Sequence, residues 1–156
     1  MYTKVLVPLD GSSLAEDVIP HVNTIARGCD ALTVVFLRVV EPTILLSDDS
    51  GSNALKWDVA EKMNATAQQE AQQYLAEIAA RAAQAGLETQ SVVLLGRPAE
   101  TICAFAGNNG VDLIVMATHG RSGIRRLVWG GVADKVLRSC RAPVLLVKTG
   151  GGEPSS

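Results

Sequence analysis

The chain opens on a short apolar run, Val5-Leu6-Val7-Pro8-Leu9, that halts at Asp10-Gly11. A run of this length bounded by a turn pair predicts a buried strand that delivers Asp10 to a loop at its carboxyl end. The period then changes. Ser13-Leu14-Ala15-Glu16 has capping-box spacing, and Val18, Val22, Ile25 and Ala26 recur at helical intervals up to Gly28, so one helix is predicted, kinked at Pro20 where a backbone donor is missing. Residues 31–40 are rich in β-branched and apolar side chains and predict a second strand.

Ser47-Asp48-Asp49-Ser50-Gly51-Ser52 reads as a surface loop. A long helix follows, with Leu55, Val59, Met63, Ala67, Ala71, Tyr74, Leu75, Ile78 and Ala82 along one face as far as Gly86. Residues 89–95 predict strand three, and Pro98 in Gly96-Arg97-Pro98-Ala99-Glu100 suits the first turn of a helix that ends near Asn108-Asn109-Gly110. Residues 112–116 predict strand four, 132–140 a further helix and 143–147 strand five. Five strands alternating with four helices imply a doubly wound parallel sheet with helices on both faces, a Rossmann-like α/β fold. Ligands of such sheets sit beyond the carboxyl ends of the strands where the winding reverses, so the loops after strands one and four are the candidate site.

Composition narrows this picture. The 156 residues fit one domain, expected over 1–148 and followed by a disordered tail at 149–156. A 47% hydrophobic content with 4% aromatic residues suits helices packed on a buried parallel sheet. A formal net charge of −2 argues against nucleic acid or a membrane surface as partner, since both need a broad basic face. No apolar stretch approaches the roughly 20 residues that span a bilayer, and Met1-Tyr2-Thr3-Lys4 shows no signal peptide, so a cytoplasmic protein is expected. Cys29, Cys103 and Cys140 form no Cys-x-x-Cys pair and have no histidine at metal-ligand spacing; buried thiols in a reducing compartment are expected, with no metal site.

The chemistry lies after strand four, in Ala117-Thr118-His119-Gly120-Arg121-Ser122-Gly123-Ile124-Arg125-Arg126-Leu127-Val128-Trp129-Gly130-Gly131. Its glycines allow close backbone approach, Gly130 and Gly131 stand where a helix N-terminus offers free amides, and Arg121, Arg125 and Arg126 can add charge-assisted bonds to phosphate. A glycine-rich connection with a solvated basic turn would read the same way. No Gly-Lys-Ser/Thr follows and strand one lacks Gly-x-Gly-x-x-Gly, which disfavours a Walker loop and a dinucleotide site.

Four segments together resemble the universal stress protein family: Val5-Leu6-Val7-Pro8-Leu9-Asp10-Gly11-Ser12, Gly96-Arg97-Pro98-Ala99-Glu100, Thr118-His119-Gly120-Arg121-Ser122-Gly123 and Ala142-Pro143-Val144-Leu145-Leu146-Val147. The ATP-binding branch of that family carries Gly, two residues, Gly, nine residues, Gly, then Ser or Thr. Gly120 and Gly130 match its second and third glycines, whereas Ala117 stands for the first and Gly131 for the hydroxyl residue. Loss of that hydroxyl removes a hydrogen bond worth about 0.5–1.5 kcal/mol.

The resemblance implies an adenine nucleotide, ATP with or without Mg²⁺, or ADP or AMP. Asp10 would accept from ribose or adenine, Pro8 would line the base pocket and Val39 would offer backbone groups to the base edge. Met116, Ala117, His119, Gly120, Arg121, Gly123, Gly130, Gly131 and Val132 complete the expected contacts. Simpler readings stand beside these: Asp10 as a turn residue before Ser12-Ser13, Val39 as core, His119 and Ser122 as parts of the turn, Trp129 as a buried anchor.

The function implied is a stress-response regulatory or protective module, an ATP hydrolase at most weakly, with no catalytic residue assigned. The alternative within the family is a dimeric protein that needs no nucleotide. Strand five, apolar on both faces, would need cover at a sheet edge, and a homodimer through residues 143–147 would supply it. An ATP-using relative would show His-x-Gly-His or Ser-Gly-Gly-x-Asp-Ser, and a phosphorylation receiver would need an acceptor Asp after strand three, which instead ends at Leu95-Gly96.

Overall fold

A computed structural model describes residues 1–29, 32–44, 53–119 and 131–149. The strands are β1 (Lys4–Pro8), β2 (Thr33–Val40), β3 (Glu88–Leu95), β4 (Leu113–His119) and β5 (Val144–Thr149). The helices are α1 (Ser13–Glu16), α2 (Ile19–Arg27), α3 (Asn53–Gln84), α4 (Pro98–Asn108) and α5 (Val132–Ser139). All strand pairs are parallel, in the order β3-β2-β1-β4-β5. The chain winds outward from β1 to β3, crosses back to β4 and winds the other way, so the two directions put their helices on opposite faces.

Side-chain alternation builds two cores. Val5, Val7 and Leu9 of the first strand region, with Val34, Phe36, Leu113 and Val115, pack against Val18 and Val22 of the α2 segment and Leu75, Ile78 and Ala82 of α3. Leu6, Val35, Leu37, Ile114 and Met116 pack against Ile102 and Ala106 of α4 and Val136 of α5. Strands buried on both faces explain the near-continuous apolar runs of the sequence.

Several expectations change. The single kinked helix is two helices, because Pro20 falls in the first turn of α2, where a missing N–H costs nothing, and Val18 at the break is fully buried. The expected capping box gives way to a single cap one residue earlier: the Ala15 N–H donates to Ser12 Oγ (3.2 Å), and Glu16 pairs with Arg81 of α3 (2.8 Å) instead of reaching back. The apolar face predicted for the long helix is covered only in part, with Leu55, Val59 and Met63 70%, 47% and 49% exposed. The cysteines are not three thiols, since Cys103 and Cys140 form a disulfide and Cys29 alone is free. Thr149, expected in the tail, pairs with His119 as the end of β5, and residues 150–156 lie outside the described residues.

Two anchors fix the frame. The Asp112 carboxylate accepts from the Thr3 N–H (2.7 Å), the Thr3 hydroxyl (2.7 Å) and the Lys4 N–H (2.8 Å), joining the starts of β1 and β4. These bonds, the Thr3 hydroxyl first, hold its pKa below the ordinary value. At the other end of the sheet Gly96 has φ +152°, and a side chain there would collide with the Thr101 hydroxyl.

Candidate functional site

The winding reverses between β1 and β4, and there the sheet forks. β1 and β4 pair at Val5↔Leu113 and Leu6↔Ile114, while β1 follows β2 to Pro8↔Leu37 and β4 follows β5 to His119↔Thr149. The Lys4 carbonyl faces β4, accepting from the Asp112 N–H (2.9 Å), and the Leu9 N–H faces β2, donating to the Leu37 carbonyl (2.8 Å). Peptide groups alternate in direction along a parallel strand, so Pro8 holds the position whose N–H would face β4 and has none. The crevice therefore opens at a proline.

Three expected site residues share one wall. Met116 is buried in the core beneath α4 and α5, and Val39 packs against that core. Alternation along β1 puts Pro8, half-buried, on the same face as Leu6. The Leu37 carbonyl faces β1, so the peptide groups of Val39, two residues on, face the same way beyond the last β1 rung. Val39 is thus both core and crevice lip.

Asp10 stands exposed at the mouth, and its Oδ1 accepts from the Ser12 N–H (2.9 Å) and hydroxyl (2.6 Å). The turn reading of Asp10 therefore holds in the structure. Gly11, at φ +86°, lets this turn form, and a Cβ built there would lie 3.7 Å from Arg38 Nη2. Arg38 was not expected in the site. It sits near the end of β2, and its charge opposes the effects of burial, Glu16 and Asp10, which together push the Tyr74 phenol of α3 well above its ordinary pKa. The signal for Arg38 was a lone cation inside an apolar strand.

Across the fork, Ala117 continues β4 half-buried, and His119 ends it, paired with Thr149. Gly131 caps α5 with φ −67° and ψ 165° and without a side-chain cap bond, and Val132 begins the helix 39% exposed. Gly120, Arg121, Gly123 and Gly130, with Ser122, Arg125, Arg126 and Trp129, lie outside the described residues. A shallow hollow of about 260 Å³ lined by Ala26, Cys29, Leu32, Gly86, Leu87 and Glu88 opens at the amino ends of β2 and β3, away from the crevice. Among the described residues no helix is long and apolar enough to cross a membrane.

The fork lies at a winding reversal, where ligands of such sheets sit, and it offers an apolar wall of Pro8, Val39 and Met116, an exposed carboxylate at Asp10 and the amide end of α5. Known proteins share the frame. The universal stress protein MJ0577 of Methanocaldococcus jannaschii is 27% identical over 156 residues, covering 95% of this chain and 96% of its own, and its solved structure superposes with a TM-score of 0.78 over 97% and 99% of the two chains. A universal stress protein solved in complex with cAMP matches at 20% identity and TM-score 0.67, over 96% and 98% of the chains. The Arabidopsis thaliana family protein At3g01520, solved with AMP bound, matches at 14% identity and TM-score 0.67, over 96% and 93%. The model of the universal stress protein family matches residues 1–148, and this chain belongs to that family.

Proposed function

We propose that the chain binds an adenine nucleotide, ATP foremost, in the β1/β4 crevice and works as a stress-response regulatory or protective module whose loaded state changes how it meets partners. The observation that carries this reading is the fork itself: β1 and β4 separate beyond Leu6↔Ile114, with Asp10 at the mouth and Pro8, Val39 and Met116 along one wall. The adenine lies against that wall with its edge toward the Val39 peptide groups. The ribose hydroxyls donate to Asp10, and the phosphates, with Mg²⁺ when ATP carries it, run toward the amides of Gly131 and Val132 and the glycines of the preceding run. Relatives solved with cAMP and AMP support the adenine class.

This is a binding role rather than a catalytic one, with weak ATP hydrolysis at most. Purified protein, denatured and its supernatant separated by ion-exchange chromatography, is expected to release an adenine nucleotide near one per chain. A folded preparation that releases none, and takes up none when incubated with ATP, contradicts the reading.

We also propose a homodimer through β5, which pairs only with β4 among the described residues and carries Leu145 39% exposed. An apolar edge strand with one bare side is a template for a second copy.

A further inference from the structure

The two helices on the crevice-wall face are held very differently. α4 has eleven residues, buries Ile102 and Ala106, and starts at Pro98 behind the Gly96 turn. α5 has eight, of which Val136 alone is fully buried, while Val132 and Leu137 are exposed. Its Arg138–Asp134 pair (3.1 Å) is internal to the helix, and its N-cap makes no side-chain bond. A helix this short does not sustain itself in water and depends on what it is fastened to. Among the described residues, buried Val136 and half-buried Ala133 seat it on the core, and a covalent bond adds to them: Cys140, its C-cap, is bonded to Cys103 of α4, Cα atoms 4.9 Å apart across 37 residues of sequence. Both cysteines are half-buried rather than sealed in the core.

We propose that Cys103 and Cys140 are a reversible thiol–disulfide latch that fixes α5 against α4 when closed and loosens it when open. A low-molecular-weight disulfide such as oxidised glutathione closes it. One cysteine thiolate attacks the small disulfide, forming a mixed disulfide and expelling one thiolate; the second cysteine, losing its proton, attacks the protein sulfur of that bond and expels the other. Two protein thiols are oxidised by two electrons and one small disulfide is reduced to two thiols. Two reduced thiol molecules reverse the step. The latch itself stands apart from any ligand. Only its consequence for phosphate binding at the α5 amides rests on the nucleotide reading.

The test uses the full chain equilibrated in glutathione buffers from fully reduced to fully oxidised, trapped by alkylation and weighed. A reversible change of two alkylatable thiols is expected, with Cys29 alkylated throughout, and amide hydrogen exchange across residues 132–140 should speed up at least about tenfold on reduction while residues 98–108 stay unchanged. Cys103→Ser and Cys140→Ser should each exchange like the reduced protein even in oxidising buffer, and Cys29→Ser like the wild type. A pair that neither opens nor closes in the native protein, or α5 exchange that is equal in both states, overturns the latch. ATP affinity measured on the same samples is expected to fall about tenfold on reduction. If α5 loosens while no nucleotide binds in either state, the latch stands and the nucleotide reading fails.

Discussion

Gly131 caps α5 in an extended conformation, with nothing among the described residues within 4 Å of where a side chain would begin. Serine adopts that backbone without strain and is a better N-cap by a few tenths of a kcal/mol. Because the ATP-binding branch of the family that the sequence resembles carries a hydroxyl residue at this position, Gly131→Ser should tighten ATP binding about 2- to 12-fold, the value of one neutral hydrogen bond of about 0.5–1.5 kcal/mol. Isothermal titration measures this, and weaker binding by a variant that melts no lower than the wild type would contradict it. Asp112 offers a pH test. Its folded pKa lies below the unfolded value, so its contribution is complete above about pH 5 and fades as pH falls through the carboxylate range toward the folded pKa. Asp112→Asn should therefore cost about 1 kcal/mol near neutrality, the low end for bonds to a half-buried charge, and nothing in strong acid, as urea unfolding at a series of pH values will read out. A penalty independent of pH would be evidence against it. Asp10 was legible in the sequence because it ends an apolar run; Asp112 was not, because its partners Thr3 and Lys4 are more than 100 residues away.

The strands could be read from the sequence because burial on both faces of the central ones leaves continuous apolar runs, and every predicted strand appears within three residues of its place, β4 running on from the predicted end at 116 to His119. The helices were less legible. Pro20 fits a kink as well as a first turn, and only the buried Val18 decides for the break. Periodicity in α3 continues past the end of what can cover it: 32 residues make a helix of about 48 Å, whereas eight-residue strands extend about 26 Å. Leu55, Val59 and Met63 share the helical pattern yet lie exposed. At the β3–α4 turn, Gly96→Ala meets both a left-handed backbone and the Thr101 hydroxyl, and should cost about 2–3 kcal/mol, lowering the melting temperature by roughly 5–10 °C. Adding Thr101→Ala should restore the part due to collision. Calorimetry of both variants checks this, and an unchanged melting temperature in Gly96→Ala would refute it.

Topology decides what no single element reveals. Cys103 and Cys140 are 37 residues apart, and they meet because the crossovers from β3 to β4 and from β4 to β5 place α4 and α5 on the same face. The same winding leaves β5 at one edge, where Leu145→Lys puts a charge on an exposed face of the edge strand. Light scattering should find the wild type at twice the chain mass and the variant at once; a monomeric wild type would remove the dimer. The crevice is tested most directly by a calorimetric titration of ATP into protein stripped of ligand, alongside Asp10→Ala. One site per chain is expected with a Kd in the micromolar range, on the order of −8 kcal/mol, about tenfold weaker in the variant. No heat and no retained nucleotide at millimolar ATP, from protein that is folded, would contradict it.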